Sequence, residues 1–299
     1  MATVVQQLLV LYIFIFLGWF FGKRKPALTK QGGLLSFLLV NLFLPAKVFR
    51  TFSRYCTPEY LQQHGGMLLA SCCFLLSFIV GSKLLAKRLT PKHHEQNVYH
   101  YSMTISNYAY MGYSLAEVLF GEMGLMNLIF FCIPFALYTN TFGFAALTGQ
   151  GTSLKRLVNT MSVAIVAGVA FGLSGVVLPG VFNDVLASAS ACAGPLSMVF
   201  GGLTLAVFPL KEMFNHKVSY LIAAIRLLCI PALVWGVCTL LRLPHILPSA
   251  VLMACMPCGL NAVAFCSLGG QDCKGAVRLA MLTHLGSLLT LPFWLSILP

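Results

Sequence analysis

The feature that most constrains this chain is a succession of long apolar segments that carry almost no charge. Of the 299 residues, 59% are hydrophobic and only 9% are charged, and the mean hydropathy is +0.87. Soluble domains carry about 25% charged residues. A helix of about 20 apolar residues crosses a bilayer core, whereas barrel strands show short alternating segments. The sequence therefore predicts an all-α integral membrane protein and excludes an ordinary soluble enzyme.

Ten apolar segments can be placed along the chain, and together they leave no room for a separate soluble domain. Each is long enough to be a transmembrane helix. They are Val4–Phe21, Gly32–Phe49, Met67–Leu85, Tyr99–Leu119, Leu125–Leu147, Met161–Leu178, Leu186–Phe208, Val218–Leu241, Ile246–Leu268 and Leu279–Ile297.

The net charge of +12 is explained by topology. Basic residues gather in the loops after segments 1, 3, 5, 7 and 9, for example at Lys23, Lys87, Arg156, Lys211 and Lys274. The positive-inside rule places these loops in the cytoplasm and both termini outside it. We expect a multi-pass protein of the plasma membrane, or of the inner membrane in a bacterium. A nucleic-acid partner is not expected, because the basic residues alternate with segments instead of forming one surface.

The chain divides into two halves of five segments each. Residues 1–148 form the first half, 149–159 a short cytoplasmic connector and 160–299 the second half. Because five is odd, the second half enters the membrane from the opposite side. Inverted repeats of this kind build many secondary transporters.

Segments 4 and 9 are poor candidates for uninterrupted helices. Segment 4 contains the stretch Ser106–Ser114, which includes Asn107 and Gly112, and segment 9 contains Met256–Asn261, with Pro257 and Gly259. Proline and glycine weaken a helix, and asparagine can bond freed backbone groups. Either stretch alone also fits a kinked helix with a buried asparagine. Their corresponding positions in the two halves favour broken helices around a midplane binding site.

Four stretches of this sequence resemble the auxin efflux carrier family, particularly its short bacterial members. They are Asn41–Pro45, Ser106–Gly121, Gly194–Gly201 and Met256–Gly270, running toward Pro292. The resemblance implies ten transmembrane helices as two inverted five-helix repeats, with helices 4 and 9 unwound where they cross, a fold similar to that of bile-acid sodium symporters. It also implies elevator-like transport, in which helices 1, 2, 6 and 7 form a scaffold and a homodimer interface while helices 3–5 and 8–10 carry the crossing.

One position departs from the family pattern. Ser114 stands where the family commonly has a proline in helix 4, although Pro257 is present in helix 9. The first crossing is therefore expected either to unwind through Gly112 and Ser114 or to be more helical than in relatives. The short connector also differs from the long loop of plant carriers, so auxin specificity is not expected here.

Few ionisable residues lie inside the segments. No carboxylate is at midspan, which argues against a carrier of cations. Arg226 lies about 12 Å deep, since it is about eight residues into segment 8 at 1.5 Å per residue. It either attracts an anionic substrate or pairs with an acidic residue such as Glu117. Lys47 is expected to snorkel. His284 is a candidate for proton coupling, with a neutral hydrogen-bonded histidine as the alternative.

The crossing is predicted to attract negative charge. Half-helix N-termini expose unpaired N–H groups there, and asparagine side chains add amide donors. Arg226 and the nearby tyrosines complete the candidate substrate site. Its residues are Asn107, Tyr110, Gly112, Tyr113, Ser114, Arg226, Pro257, Gly259 and Asn261.

These features predict a secondary or facilitative transporter of a small organic anion, a mono- or dicarboxylate. The alternative is a membrane receptor that binds such an anion without moving it. No ATP-binding motif occurs, and neither enzymatic activity nor a cofactor is expected. Cys255 and Cys258 have the C-x-x-C spacing of a redox or metal site, but without a second ligand pair packing residues are the favoured interpretation, with a metal carrier as the minor alternative. The coupling ion is left open between H⁺ and Na⁺.

Overall fold

The computed structural model describes residues 2–207 and 216–298, and most of these residues lie in helices joined by short non-helical stretches. The all-α prediction is thereby confirmed, while Lys211 lies outside the described residues. Short helical turns occur at Pro26–Lys30 and Leu154–Leu157. The longer helices of the described residues are α1 Ala2–Arg24, α2 Gly32–Tyr55, α3 Pro58–Leu89, α4 His93–Thr104, α5 Tyr108–Thr148, α6 Thr160–Ser174, α7 Gly180–Ala206, α8 Lys217–Leu240, α9 Leu247–Cys255, α10 Asn261–Leu268 and α11 Lys274–Ser296.

Six of these helices are long and apolar enough to cross a membrane by length and composition. They are α2, α3, α5, α7, α8 and α11. The shorter apolar helix α6 has 15 residues. The predicted segments 4 and 9 do not appear as single long helices, because non-helical residues divide each of them. The protein is thus a multi-pass membrane protein, and the arrangement of ten helices in inverted repeats stays a prediction.

The helix α5 contains a sharp turn at Gly121. It has 41 residues, and a straight helix of that length would measure about 60 Å, twice the thickness of the hydrocarbon core. Gly121 has φ 71° and ψ −172°, a conformation that favours glycine. The chain changes direction there, between the predicted segments 4 and 5.

Helices α1, α2, α6 and α7 form one closely packed group. The helix α1 runs along α7, α2 runs along α6, and α2 also packs on α7. Small residues make these contacts possible. A Cβ atom on Gly172 of α6 would lie 2.6 Å from the carbonyl oxygens of Phe52 and Cys56, and one on Gly18 of α1 would overlap the backbone of Val199. Glycine at such positions lets membrane helices approach closely.

The second group contains the interrupted segments. Helix α3 packs on α4 and α5, and α8 packs on α9 and α11. The hydroxyl of Ser71 in α3 donates to the carbonyl of Phe131 in α5. The ends of α5 and α10 meet at Gly269, where a Cβ would lie 2.5 Å from backbone atoms of Thr148. This packing holds the two interrupted segments together.

Candidate functional site

The interruptions of the two segments meet and pair through their backbones. Helix α4 ends at Thr104 and α5 begins at Tyr108, while α9 ends at Cys255 and α10 begins at Asn261. Between them, Ser106 and Cys258 form an antiparallel bridge. The N–H of Asn107 donates to the carbonyl of Pro257 (2.8 Å), and the N–H of Gly259 donates to the carbonyl of Ile105 (3.0 Å). Backbone N–H and C=O groups that lack a helical partner in one break are thereby hydrogen-bonded to backbone groups of the other break. We call residues 105–107 and 256–260 the paired breaks.

Local sequence explains the second break. The residue before a proline favours extended backbone, and Met256 before Pro257 has φ −62° and ψ 147°. Gly259 makes the close approach possible, because a Cβ on it would lie 3.3 Å from the carbonyl oxygen of Ser106. The Oγ1 of Thr283 in α11 accepts the N–H of Cys258 (3.2 Å). The sequence predicted Pro257 and Gly259 here but offered no signal for Thr283.

The first break lies before Gly112 and Ser114, the two residues through which segment 4 was expected to unwind. Residues Tyr108–Gly112 form a π-helical turn, and Tyr113 and Ser114 continue as α-helix. Of the two alternatives for this segment, the more helical one therefore describes Gly112 and Ser114. The break itself uses Ile105–Asn107, and neither Ile105 nor Ser106 is a residue type that predicts one. The side chain of Ser114 faces α7, since a Cβ on Gly194 would lie 2.8 Å from its Oγ.

Asn107 and His284 come together at the first break although 177 residues separate them. Both are buried. His284 Nδ1 lies 2.7 Å from the carbonyl oxygen of Ala280, so this nitrogen carries a proton. In the neutral ring Nε2 is then an acceptor, and Asn107 Nδ2 donates to it at 3.0 Å. The Oδ1 of Asn107 is buried without a hydrogen-bond partner. The geometry matches the neutral, hydrogen-bonded alternative for His284.

Arg226 of α8 lies next to the paired breaks and is fully buried (0% exposed). Its Nε donates to the carbonyl of Met256 (3.2 Å), and its two terminal nitrogens donate to the carbonyls of Met103 (3.0 Å) and Met253 (3.2 Å). The suggested pairing with Glu117 is wrong, because Glu117 bonds to Lys47. The carbonyls that Arg226 binds belong to the ends of α4 and α9, and sequence patterns do not reveal such tertiary contacts.

The structure also corrects the expectation for Lys47. Its side chain does not snorkel: only 3% of it is exposed, and Nζ donates to Glu117 of α5. Glu122 accepts from Arg50 (2.8 Å) and from the more exposed Arg54 (3.3 Å). We call Lys47, Arg50, Arg54, Glu117 and Glu122 the ion-pair cluster. It joins α2 of the first group to α5 of the second.

The remaining predicted site residues lie close to the paired breaks. Tyr110 is buried with its ring centroid 5.8 Å from that of Phe200 in α7, and the rings of Tyr113 and Tyr108 are 5.9 Å apart. Asn261 is the first residue of α10 and is half-buried. The two tyrosines thus make packing contacts, while Asn261 lies at a helix N-terminus.

A cavity of about 630 Å³ separates α2 and α7 from α10. Its polar lining includes Ser36, Asn41, Thr204 and Ser267, and Leu260 places it next to the second break. A smaller cavity of about 210 Å³ lies farther along α2 and α7, lined by Lys47, Glu117 and Ser114 among others. Both cavities therefore separate the two groups of helices, at different levels. No sequence motif indicated Ser36 or Thr204.

Comparison with known proteins relates the whole chain to membrane transport. A family model described as membrane transport protein matches residues 3–154 and 147–295. A protein of Methanothermobacter thermautotrophicus described as an uncharacterized transporter is 24% identical over 304 residues, covering 98% of each chain. A protein of Rhizobium meliloti described as a "putative malonate transporter" is 25% identical over 280 residues, covering 87% of this chain and 85% of the relative. Each matched range contains one of the paired breaks.

Proposed function

The chain belongs to the membrane transport protein family of auxin efflux carrier type, and on this premise we propose that it carries a small organic anion, a mono- or dicarboxylate, across the membrane. The observation that carries the proposal is the backbone pairing of two interrupted helices at Ser106 and Cys258. Interrupted helices form substrate sites in secondary transporters. The relative described as a malonate transporter supports a carboxylate as the substrate class.

The charge distribution at the paired breaks favours an anion. Helices α5 and α10 both begin there, so the positive ends of two helix dipoles meet at one place. Asn107 and Asn261 flank these N-termini and would donate amide hydrogens to a carboxylate, while Arg226 offsets the negative C-terminal ends of α4 and α9 at the same place. The other residues of the proposed site are Tyr110, Gly112, Tyr113, Ser114, Pro257 and Gly259.

We place the moving boundary of an elevator between the two groups of helices. The scaffold would be α1, α2, α6 and α7, also carrying a homodimer interface, and the remaining long helices would move with the substrate. The larger cavity would be the cytoplasmic entrance, because it opens beside Thr29 and Cys273, near the basic loops that the positive-inside rule assigns to the cytoplasm. The ion-pair cluster would close the opposite side. This scheme requires ten membrane crossings arranged as inverted repeats 1–148 and 160–299.

His284 is the proposed site of proton coupling. Because Nδ1 is bonded to Ala280, a proton can add only at Nε2, where Asn107 Nδ2 now donates. The amide of Asn107 would then rotate, so that Oδ1 accepts from His284 and Nδ2 points where the unpaired Oδ1 lay. Protonation of His284 would thereby replace the acceptor Oδ1 of Asn107 with the donor Nδ2 at the position open to the substrate carboxylate.

Uptake of labelled malonate and other small carboxylates by proteoliposomes tests the function, with binding measured on the same preparation. We expect saturable uptake and counterflow, absent from protein-free liposomes. Saturable binding without flux would support the receptor alternative. Neither binding nor flux across a panel of mono- and dicarboxylates would refute the proposal.

A further inference from the structure

The transport proposal does not by itself explain the hydrogen bonds of Arg226. Its guanidinium donates to carbonyls at the C-terminal ends of two different helices, Met103 of α4 and Met253 of α9, and to Met256 just beyond α9. It does so with 0% of the residue exposed. Both helices end at the paired breaks, so the guanidinium lies where their C-termini converge.

The last carbonyls of a helix have no intrahelical partner, and together they carry about half of a negative charge. Two such ends that converge inside a membrane protein make an oxygen-lined place of negative potential. In discontinuous transporter helices, carbonyl groups of this kind coordinate alkali cations. A cation at this place would offset the negative potential of the carbonyl oxygens.

The guanidinium of Arg226 supplies this positive charge, and it does so without a carboxylate partner. Arg226 takes part in none of the ion pairs that Lys47, Arg50, Arg54 and Lys92 make with carboxylates. A buried charge without an ionic partner is costly unless hydrogen bonds compensate it. Three hydrogen bonds from the charged guanidinium to carbonyls at the negative ends of the helix dipoles provide that compensation. Arg226 is thus matched to backbone oxygens, as an alkali ion would be.

We infer that Arg226 is a tethered cation, which permanently occupies the place between the ends of α4 and α9 where a mobile alkali ion would otherwise bind. The inference rests on the proposed transport function for its consequence, which is that transport requires neither Na⁺ nor K⁺. Arg226 is then a positioning residue: it holds the ends of α4 and α9 together, and so sets the geometry of the paired breaks. Removing its side chain leaves an empty cation site.

The first test is thermal unfolding of the purified protein, which needs no substrate. Arg226→Ala should lower Tm, and millimolar guanidinium chloride should restore most of the loss, whereas tetramethylammonium chloride, too large and without N–H donors, should not. Arg226→Met is the matched control, because its uncharged chain fills the space that guanidinium would enter, so its Tm should stay low with either salt. Wild-type Tm should respond to neither. An Arg226→Ala protein that guanidinium does not stabilise, or one as stable as the wild type, would overturn the inference.

If Arg226→Ala does not fold, Arg226→Lys and Arg226→Met decide the question. We expect the lysine variant, which keeps the charge, to be clearly more stable than the methionine variant. Equal stability would mean that the side chain acts through packing alone.

The second test compares malonate uptake by wild-type proteoliposomes in sodium, potassium and choline media. Equal initial rates are expected. Uptake that depends on Na⁺ or K⁺ would overturn the tethered cation while leaving the transport function intact. No uptake of malonate or of any other carboxylate in the panel, in any medium, would instead refute the transport function, and the unfolding experiments would still decide the role of Arg226.

Discussion

At the scale of single residues, the backbone before Ser114 resembles the backbone before two prolines of this chain. Pro45 follows the π-helical turn that begins at Leu39, and Pro231 follows the one that begins at Ile225, each six residues after the start. Ser114 holds the same place after the π turn that begins at Tyr108. A proline clashes with the carbonyl four residues earlier in a regular helix, and a widened π turn moves that carbonyl away. The backbone at Ser114 is thus of a kind that accepts proline elsewhere in this chain.

Ser114→Pro should therefore fold, with Tm close to that of the wild type and malonate uptake retained. Ala116→Pro is the control, because residue 116 lies two positions further on in regular, buried helix and should lose about 3 kcal/mol or more of stability. Thermal unfolding of both variants makes the comparison. A Ser114→Pro protein as unstable as Ala116→Pro would contradict the equivalence of the three turns.

Asn107→Ala and Asn261→Ala should each weaken malonate binding. Loss of one hydrogen bond to a charged group costs about 1.5–3 kcal/mol, or roughly 10- to 150-fold in Kd. Asn140→Ala is the control, since Asn140 of α5 donates to the carbonyl of Ala136 in its own helix. Equilibrium binding to the purified protein measures the change. Wild-type affinity in both test variants would remove the paired breaks from the substrate site.

Residue chemistry allowed the sequence to predict Asn107, Asn261 and His284 as functional candidates. Their contacts could not be predicted, because the bond between Asn107 and His284 spans 177 residues and depends on the packing of α11 against the first break. The same limit applies to Arg226: its depth in the membrane was predictable, but its carbonyl partners belong to two other helices. Hydrophobic patterns place residues in elements and carry no information about such pairs.

At the scale of elements, the ion-pair cluster fixes α2 against α5. The Lys47 side chain is 3% exposed and that of Glu117 is 31% exposed, so removal of Glu117 leaves a poorly solvated ammonium group, whereas removal of Lys47 leaves a carboxylate that water still reaches. The sequence predicted where each of these helices begins and ends only approximately. It marked the second break by Pro257 and Gly259, and it marked the first only by the broad stretch Ser106–Ser114, whose first two residues lie in the break while Gly112 and Ser114 are helical. Proline and glycine locate a break through their own backbone chemistry, whereas the position of the first break depends on pairing with a distant segment.

A double-mutant cycle on Lys47 and Glu117 measures this connection. Glu117→Ala should lose about 3 kcal/mol, because it leaves a buried charge without its partner, Lys47→Ala should lose less, and the double variant should lose clearly less than the sum of the two. The pair Lys92 and Glu95, whose side chains are 74% and 35% exposed, is the control and should show a coupling of about 0.5 kcal/mol or less. Additive losses at Lys47 and Glu117 would mean that the pair does not join the helices energetically.

At the scale of the whole molecule, the contacts within the two groups of helices differ from those between them. Within the first group, several glycines meet backbone: Gly172 meets the carbonyls of Phe52 and Cys56, and Gly18 and Gly202 likewise meet backbone atoms of the facing helix. Between the groups, Gly194 of α7 meets the side chain of Ser114, and Gly201 meets that of Leu260. Backbone contacts cannot yield without moving a helix, whereas side chains can rotate. The same boundary contains the cavity of about 630 Å³ beside the second break and the smaller one of about 210 Å³, which leave room for the two groups to slide past each other.

Two alanine substitutions should therefore have opposite effects. Gly172→Ala places a Cβ 2.6 Å from two carbonyl oxygens, so α2 and α6 must separate and Tm should fall by several degrees. Gly194→Ala places a Cβ 2.8 Å from the Ser114 hydroxyl, which can rotate away, so Tm should hold while the narrower boundary slows malonate uptake several-fold. Paired measurements of Tm and of initial uptake rate in proteoliposomes distinguish the two cases. If Gly194→Ala unfolds as readily as Gly172→Ala, the two groups are one rigid body, and transport must proceed by local opening of the cavities instead of by sliding.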